Sequence, residues 1–251
     1  LLVGIMSGVK AIGARDAIRN TWLRADGFAT EAVGCFVLAA EGLYASPSDP
    51  LDNHWATRDV EKEAKTHNDV ILLQHATEGC AGMTHSKTYE WWKWAGNALH
   101  GTSITHVLKT EDDVVLHLPN VMAAVRASYR IVGRRRASRA LYLGGFAYAG
   151  YSTRAFRMCG FDWSEGGGNY KRYGCDKVAG MYPPVPFAQG PFELLSMGLI
   201  QRITADKAIA DFVSRAKMHG GGGGRAAEDV LLGVWVSHVM ASSASSDADD
   251  E

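Results

Sequence analysis

The chain has 251 residues, of which 47% are hydrophobic, 10% aromatic and 21% charged, a composition that suits a globular protein with a sizeable core. Its formal net charge is −1, so no basic field argues for a nucleic-acid partner. The length suits one large domain or two small ones.

Residues 1–6 form a short, continuous apolar run, the pattern of a buried strand, closed by Ser7-Gly8. Ala14, Ile18 and Trp22 then recur every four residues and give a helix one apolar stripe. Arg15 and Arg19 share a neighbouring face, either to meet an anion together or to sit in solvent. Residues 33–40 predict a second strand, and 47–50 a loop. Residues 53–67 predict a charged helix with Trp55 and Val60 as its buried contacts, and 69–73 a third strand. Strands alternating with helices predict an α/β sheet that is at least partly parallel. Ligands of such sheets sit beyond the carboxyl ends of the strands.

Residues 84–99 read as a Trp-rich helix buried on more than one face, with Lys87 in its first turn. Residues 102–108 predict a strand, and Pro119 opens a helix that runs to Val132. The basic stretch 133–139 reads as a solvated connector, and 140–148 as strand. Residues 150–180 lack periodicity, and Gly166-Gly167-Gly168 predicts a mobile loop. The prolines of 181–191 exclude a central strand or a helix interior and predict an extended wall. Residues 192–203 read as a helix or a strand–helix pair, and 206–218 as a helix. Five glycines, 220–224, place a flexible loop at 218–226. Residues 1–240 then form the domain, and 241–251, rich in Ser, Ala and acid, predict a disordered tail.

The four cysteines, Cys35, Cys80, Cys159 and Cys175, show no CxxC spacing, which argues against zinc; buried thiols and disulfides fit them equally. No apolar run reaches the length of a membrane span, and no signal peptide is visible. The opening strand has nothing before it, as expected of a domain trimmed from a longer protein.

The stretch with the most chemistry is Lys109-Thr110-Glu111-Asp112-Asp113-Val114. Its acids fall where a buried strand surfaces. Three like charges there repel one another, and each loses solvation if it leaves water. A shared cation relieves both costs, and hard carboxylate oxygens suit Mg²⁺ or Mn²⁺ carrying a substrate's phosphates. An acidic turn in water is the alternative.

Taken in order, these pieces resemble the catalytic domain of the β-1,3-glycosyltransferases, a family that includes β-1,3-galactosyltransferases, β-1,3-N-acetylglucosaminyltransferases and fringe. The opening strand with Arg15-Asp16-Ala17-Ile18-Arg19-Asn20-Thr21-Trp22 resembles the family's R-x-x-I-R-x-T-W helix. Glu78-Gly79 followed by Lys87-Thr88 resembles a segment of plant or algal-type members. Lys109 to Val114 resembles the K-x-D-D-D-V metal motif. Tyr182-Pro183-Pro184 with Gly190 resembles Y-P-P-Y-x-x-G, and Glu228-Asp229-Val230 with Gly233 matches E-D-V-x-x-G.

The resemblance implies a GT-A fold, Rossmann-like, with a mixed, mostly parallel central sheet flanked by helices. It implies a UDP-sugar donor, Mn²⁺ and inverting transfer of a hexose, by analogy galactose, to a glycan or glycoprotein hydroxyl in a β-1,3 linkage. It also implies a type II protein of the Golgi membrane, anchored by a segment outside this chain, with this domain in the lumen. Asp113 is the expected first metal ligand and Glu111 the second, Glu111 standing where the family has Asp. Asp112 is expected to face the nucleotide. Asp229 is the expected general base, with Glu228 as fallback, although acids at a helix N-terminus also cap it. Ser7, Arg15, Arg19 and Lys87 are expected to line the donor. His238 follows Asp229 too closely for the family's metal-binding histidine and reads as structural. A phosphohydrolase, a degenerate glycan-binding relative and transfer of N-acetylglucosamine stay open as alternatives.

Overall fold

The computed structural model describes residues 1–28, 30–41, 50–77, 87–152, 157–158, 185–218 and 228–246. The first half runs β1 (Leu2–Met6), α1 (Ile12–Asn20), β2 (Val33–Glu41), α2 (Pro50–His67), β3 (Val70–Thr77), α3 (Thr88–Ala98), β4 (His106–Glu111) and α4 (Leu118–Val132). There follow α5 (Arg134–Ala140), β5 (Tyr142–Leu143), β6 (Phe146–Ala149), β7 (Tyr151–Ser152) and β8 (Arg157–Met158). The last part runs β9 (Val185–Ala188), β10 (Glu193–Ser196), α6 (Met197–Ala205), α7 (Lys207–Met218) and α8 (Glu228–Ser246).

The main sheet has the order β3-β2-β1-β4-β10-β5. Strands β3, β2, β1 and β4 are parallel, and β10 inserts antiparallel to β4. This is the mixed, mostly parallel sheet flanked by helices that the sequence predicts. The strand order reverses between β1 and β4, which pair directly. At such a switch point the chain leaves both strand ends in opposite directions, and a crevice opens. Met6 and Glu111 are register partners at its mouth.

Period-2 alternation sorts the sheet's residues into two cores. Val3, Ile5, Phe36, Leu38, Leu108 and Leu194 pack with α1 and α4. Met6, Val37, Val107 and Leu195 pack on the other face with α3, α6 and α8. Gly4 is required on that second face: a Cβ there would lie 2.2 Å from the indole of Trp91. Trp91 and Trp92 are fully buried, so the Trp-rich helix is core.

Of the wall of prolines, 185–188 form β9, which among the described residues pairs only with β6, in a two-stranded sheet. Pro186 can therefore turn its missing donor away from the ladder. Helix α8 lies against β9 where Gly233 presents no side chain; a Cβ there would sit 2.6 Å from the Pro186 carbonyl.

The structure corrects several local expectations. The basic stretch at 133–139 is largely helical, forming α5, because Gly133 takes a φ of +80° and lets the chain restart after α4. Arg and Ala are strong helix formers, so the restart continues. The expected strand at 140–148 is split: β5 joins the main sheet and β6 the side sheet, because Gly144 packs where a Cβ would stand 2.2 Å from that of Ala188. Trp22 lies in a 3₁₀ turn after α1, still buried. Helix α8 extends to Ser246, so 241–246 continue a helix where disorder is predicted. Its apolar first turns nucleate the helix, and propagation through small residues adds little cost.

Cys35 is a buried free thiol. Cys80, Cys159, Cys175, Glu78-Gly79, Gly166-Gly167-Gly168, Tyr182-Pro183-Pro184 and the glycine-rich 219–227 lie outside the described residues, as do 247–251 and the Trp55 side chain. Among the described residues no helix is long and apolar enough to cross a membrane.

Candidate active site

On the α1 side of the switch point, the end of β1 is gripped from beneath. Arg15 is fully buried, and its guanidinium forks onto Glu63, with Nε to Oε1 at 2.8 Å and Nη2 to Oε2 at 2.6 Å. Its Nη1 donates to the Gly8 carbonyl at 2.6 Å and to Ser7 Oγ at 2.9 Å. Ser7 Oγ donates to Asp112 Oδ2 at 2.6 Å. Lys87, also buried, donates from Nζ to the Ser7 carbonyl at 2.8 Å. Ser7, Arg15, Lys87 and Asp112 are thus brought together at one strand end. Arg15 and Lys87, however, act on the loop's backbone, and Glu63 is the partner that no motif pointed to.

Arg19 departs from its expected place. Its Nε and Nη2 bond Asp69 at 2.8 Å each, Nη2 lies 2.7 Å from Glu63, and Nη1 bonds Asp16 at 2.9 Å. The cation lies 4.7 Å over the Phe36 ring. Three carboxylates thus hold its guanidinium toward β3, away from the crevice.

On the α8 side a different cluster forms. Lys109 and Glu193 are register partners on β4 and β10, and both are 0% exposed. Lys109 Nζ lies 3.1 Å from Glu193 Oε2, 2.6 Å from Glu228 Oε1 and 4.0 Å from Glu111 Oε1. Glu228 Oε2 accepts from Thr88 Oγ1 at 3.2 Å. The fallback base is therefore engaged at both oxygens. Asp229, 5% exposed, has only backbone hydrogen-bond partners among the described residues: Val230 N–H donates to Oδ1 at 2.8 Å and Gly190 N–H to Oδ2 at 3.4 Å. A carboxylate has about four lone-pair positions, so Asp229 is oriented yet keeps acceptor capacity. A Cβ at Gly190 would meet Glu111 Oε1 at 3.1 Å, a tight approach that the carboxylate could relieve only by moving.

Charge on this side is unbalanced. Burial raises Asp229 above the usual carboxylate range, and the Glu228 charge adds to the shift against the Val230 N–H and Lys109. Glu111 is raised by burial and by Glu228, Asp113 and Asp229, against Lys109. Glu193 is pushed up to about 8, burial outweighing the attraction of Lys109. Lys109 is held well above the usual ammonium value: burial opposes its charge, but Glu193 and Glu228 overcome it. Lys109 Nζ lies within 4.0 Å of both Glu111 and Glu228, so the end of β4 and the start of α8 meet at one ammonium.

Among the described residues no three His, Cys, Asp or Glu form a ready metal cage. Yet Glu111 is starved of positive charge, and Asp113 is exposed beside it. Two open carboxylates suit an Mg²⁺- or Mn²⁺-type ion that keeps positions for water and phosphate. The residues fit such an ion and would not fit a closed structural metal. His238 Nε2 pairs with Asp206 Oδ2 at 3.3 Å, far along α8, in keeping with a structural role.

Lys109 entered the sequence reading only as a motif letter, and Glu193 not at all. The signal for both is an ionisable residue inside an apolar strand: Val107-Leu108-Lys109 and Phe192-Glu193-Leu194-Leu195.

One solved structure similar to this chain is the crystal structure of 4-diphosphocytidyl-2C-methyl-D-erythritol synthase, at 12% identity and a TM-score of 0.36, covering 87% of this chain and 85% of that one. A sequence profile described as Galactosyltransferase matches residues 13–246, a span that begins in α1, crosses both halves of the crevice and ends with α8. The chain belongs to the galactosyltransferase family.

Proposed function

We propose that this protein transfers a hexose, galactose, from a UDP-sugar to a hydroxyl of a glycan or glycoprotein, with inversion and a β-1,3 linkage. One observation carries the reading: Lys109 Nζ lies 4.0 Å from Glu111, at the end of β4, and 2.6 Å from Glu228, the residue before Asp229. The acids that end β4 and the candidate base therefore meet around one ammonium. Family membership supports glycosyl transfer, and the resemblance of the motifs supports the donor, the linkage and a lumenal Golgi setting.

In the proposed reaction the acceptor hydroxyl attacks the sugar's C1 as the bond from C1 to the diphosphate oxygen breaks. UDP leaves with that electron pair, and the hydroxyl proton passes to Asp229. Asp229 suits this role because burial raises its pKa toward the working range of a general base. Two backbone N–H groups fix its direction. Ser7 and Asp112, braced by Arg15, present the end of β1 to the nucleotide. Lys87 holds the same turn through the Ser7 carbonyl. Asp113 and Glu111 would hold a divalent ion such as Mn²⁺, which when bound supplies Lewis-acid stabilisation of the departing diphosphate.

A donor screen with product mass spectrometry tests the reading. The expected result is a glycosylated acceptor from UDP-galactose, with product lost in Asp229→Asn. A product of N-acetylglucosamine transfer would revise the donor. Full activity in Asp229→Asn would remove the mechanism.

A further inference from the structure

The buried cation between β4, β10 and α8 has no part in the chemistry above. A lysine ammonium rarely leaves water unless anions replace its hydration. Lys109 leaves it completely and finds Glu193 at 3.1 Å, Glu228 at 2.6 Å and the Gly190 carbonyl at 3.3 Å. These partners come from different places in the chain: β10, the first residue of α8, and the turn before β10. Asp229 is the next residue after Glu228, and its Oδ2 takes the Gly190 N–H. Lys109 thus holds the base's surroundings from two sides, through the carboxylate before it and through Gly190, whose own N–H donates to Asp229.

The geometry points to Lys109 and Glu193 as positioning residues for the transfer reaction: a buried cross-strand ion pair that docks the start of α8, and with it Asp229, onto the end of β4. The inference rests on the reading of Asp229 as the base. Among the described residues Glu193 pairs with Lys109 and reaches the site through it. Cross-strand pairing explains why. The two residues face each other on the antiparallel ladder, so the carboxylate holds the lysine stem upright under α8. Thr88 of α3 completes the clamp by binding the other oxygen of Glu228.

Three variants test this: Glu193→Gln, Lys109→Met, and both together. The double variant removes the opposing charges at once, so it keeps the fold if one single variant does not. Two readouts are taken on the whole chain. Hydrogen exchange followed on peptides spanning 230–236 is expected to quicken at least tenfold in Lys109→Met and in the double variant, with β1 and β2 unchanged. In Glu193→Gln, kcat for sugar transfer is expected to fall about tenfold with the donor KM within twofold. Exchange at 230–236 equal to wild type in all three variants overturns the proposal, as does a kcat loss that only tracks the unfolded fraction. If the wild-type protein transfers no sugar, the transferase reading fails, and the exchange result alone decides whether Lys109 docks α8.

Discussion

The two faces of the sheet each bury cations at the same switch point, and they balance them differently. On the α1 face, Arg15 and Arg19 meet Glu63 and Asp69 in forked geometry, and the charges cancel. Burial alone would raise Glu63, but the bonds from Arg15 and Arg19 outweigh it and hold it below the usual range. On the α8 face, Lys109 stands among Glu193, Glu228, Glu111 and Asp229, and three of these acids are pushed upward. A cancelled network is scaffold. An uncancelled one is poised to take up a proton or a cation. The same residue types, a few ångströms from one crevice, thus serve opposite ends because of charge count.

Removing the base should break the comparison most sharply. Asp229→Asn is expected to lower transfer by roughly 10²–10⁴-fold, the usual worth of a general base, while thermal stability holds or rises as a buried charge is relieved. Product formation and a melting curve check both parts. On the balanced face the effect should be on stability instead. Arg15→Met leaves Glu63 with Arg19 alone and strips the donors from Ser7 and Gly8, and should cost up to about 3–5 kcal/mol in denaturant unfolding. A fully stable Arg15→Met would show that the α1 network is not scaffold.

The two faces should also answer pH with opposite signs. Burial raises Glu193 in the folded protein against the attraction of Lys109, so above its unfolded value the folded state binds a proton more tightly than the unfolded chain does. Its contribution is fully present at low pH and is lost as pH rises through about 8. Glu63 is depressed, so its contribution is present above the ordinary carboxylate value and is lost as pH falls. Denaturant midpoints across pH should show Glu193→Gln flattening only the neutral slope, by a few kcal/mol at most, and Arg15→Met only the acid one.

A smaller effect should come from ligands. Mn²⁺ with UDP at a hundredfold over Kd should stabilise the protein by about 2.7 kcal/mol. Mn²⁺ alone should do less, since no three protein ligands are gathered. A chelator should reverse the shift, and Glu111→Gln should weaken it. The smallest expected change is Arg19→Lys, which loses the fork onto Asp69 and should cost about 1 kcal/mol by chemical unfolding, with transfer unaltered.

Most of the sheet was legible because its strands are apolar runs between helical stripes: β1 and β2 fall where those runs predict them, while β3 runs four residues past its expected end and β4 starts four residues late and continues to Glu111. The acids 111–113 were legible for the same reason, since a charge cluster closing an apolar run has to surface. What escaped was pairing across the sheet. Arg15 and Arg19 look alike on α1, one turn apart, yet one reaches Ser7 and the other Asp69. Both touch Glu63 of α2, so what separates them is Ser7 beside one and Asp69 beside the other, and no local pattern carries that. Glu193 escaped because a strand of four residues gives too little periodicity to mark one inward acid. The break at Gly144 and the extension of α8 to Ser246 escaped because both depend on what packs alongside.

The antiparallel insertion of β10 has a consequence for how this pocket comes into being. Lys109 reaches Gly190 across 81 residues of sequence, and Thr88 reaches Glu228 across 140. Contacts that distant close late, since the loop entropy between them must be overcome first. During refolding, the parallel strands should therefore assemble ahead of the chemistry, and catalytic competence should return after secondary structure has recovered.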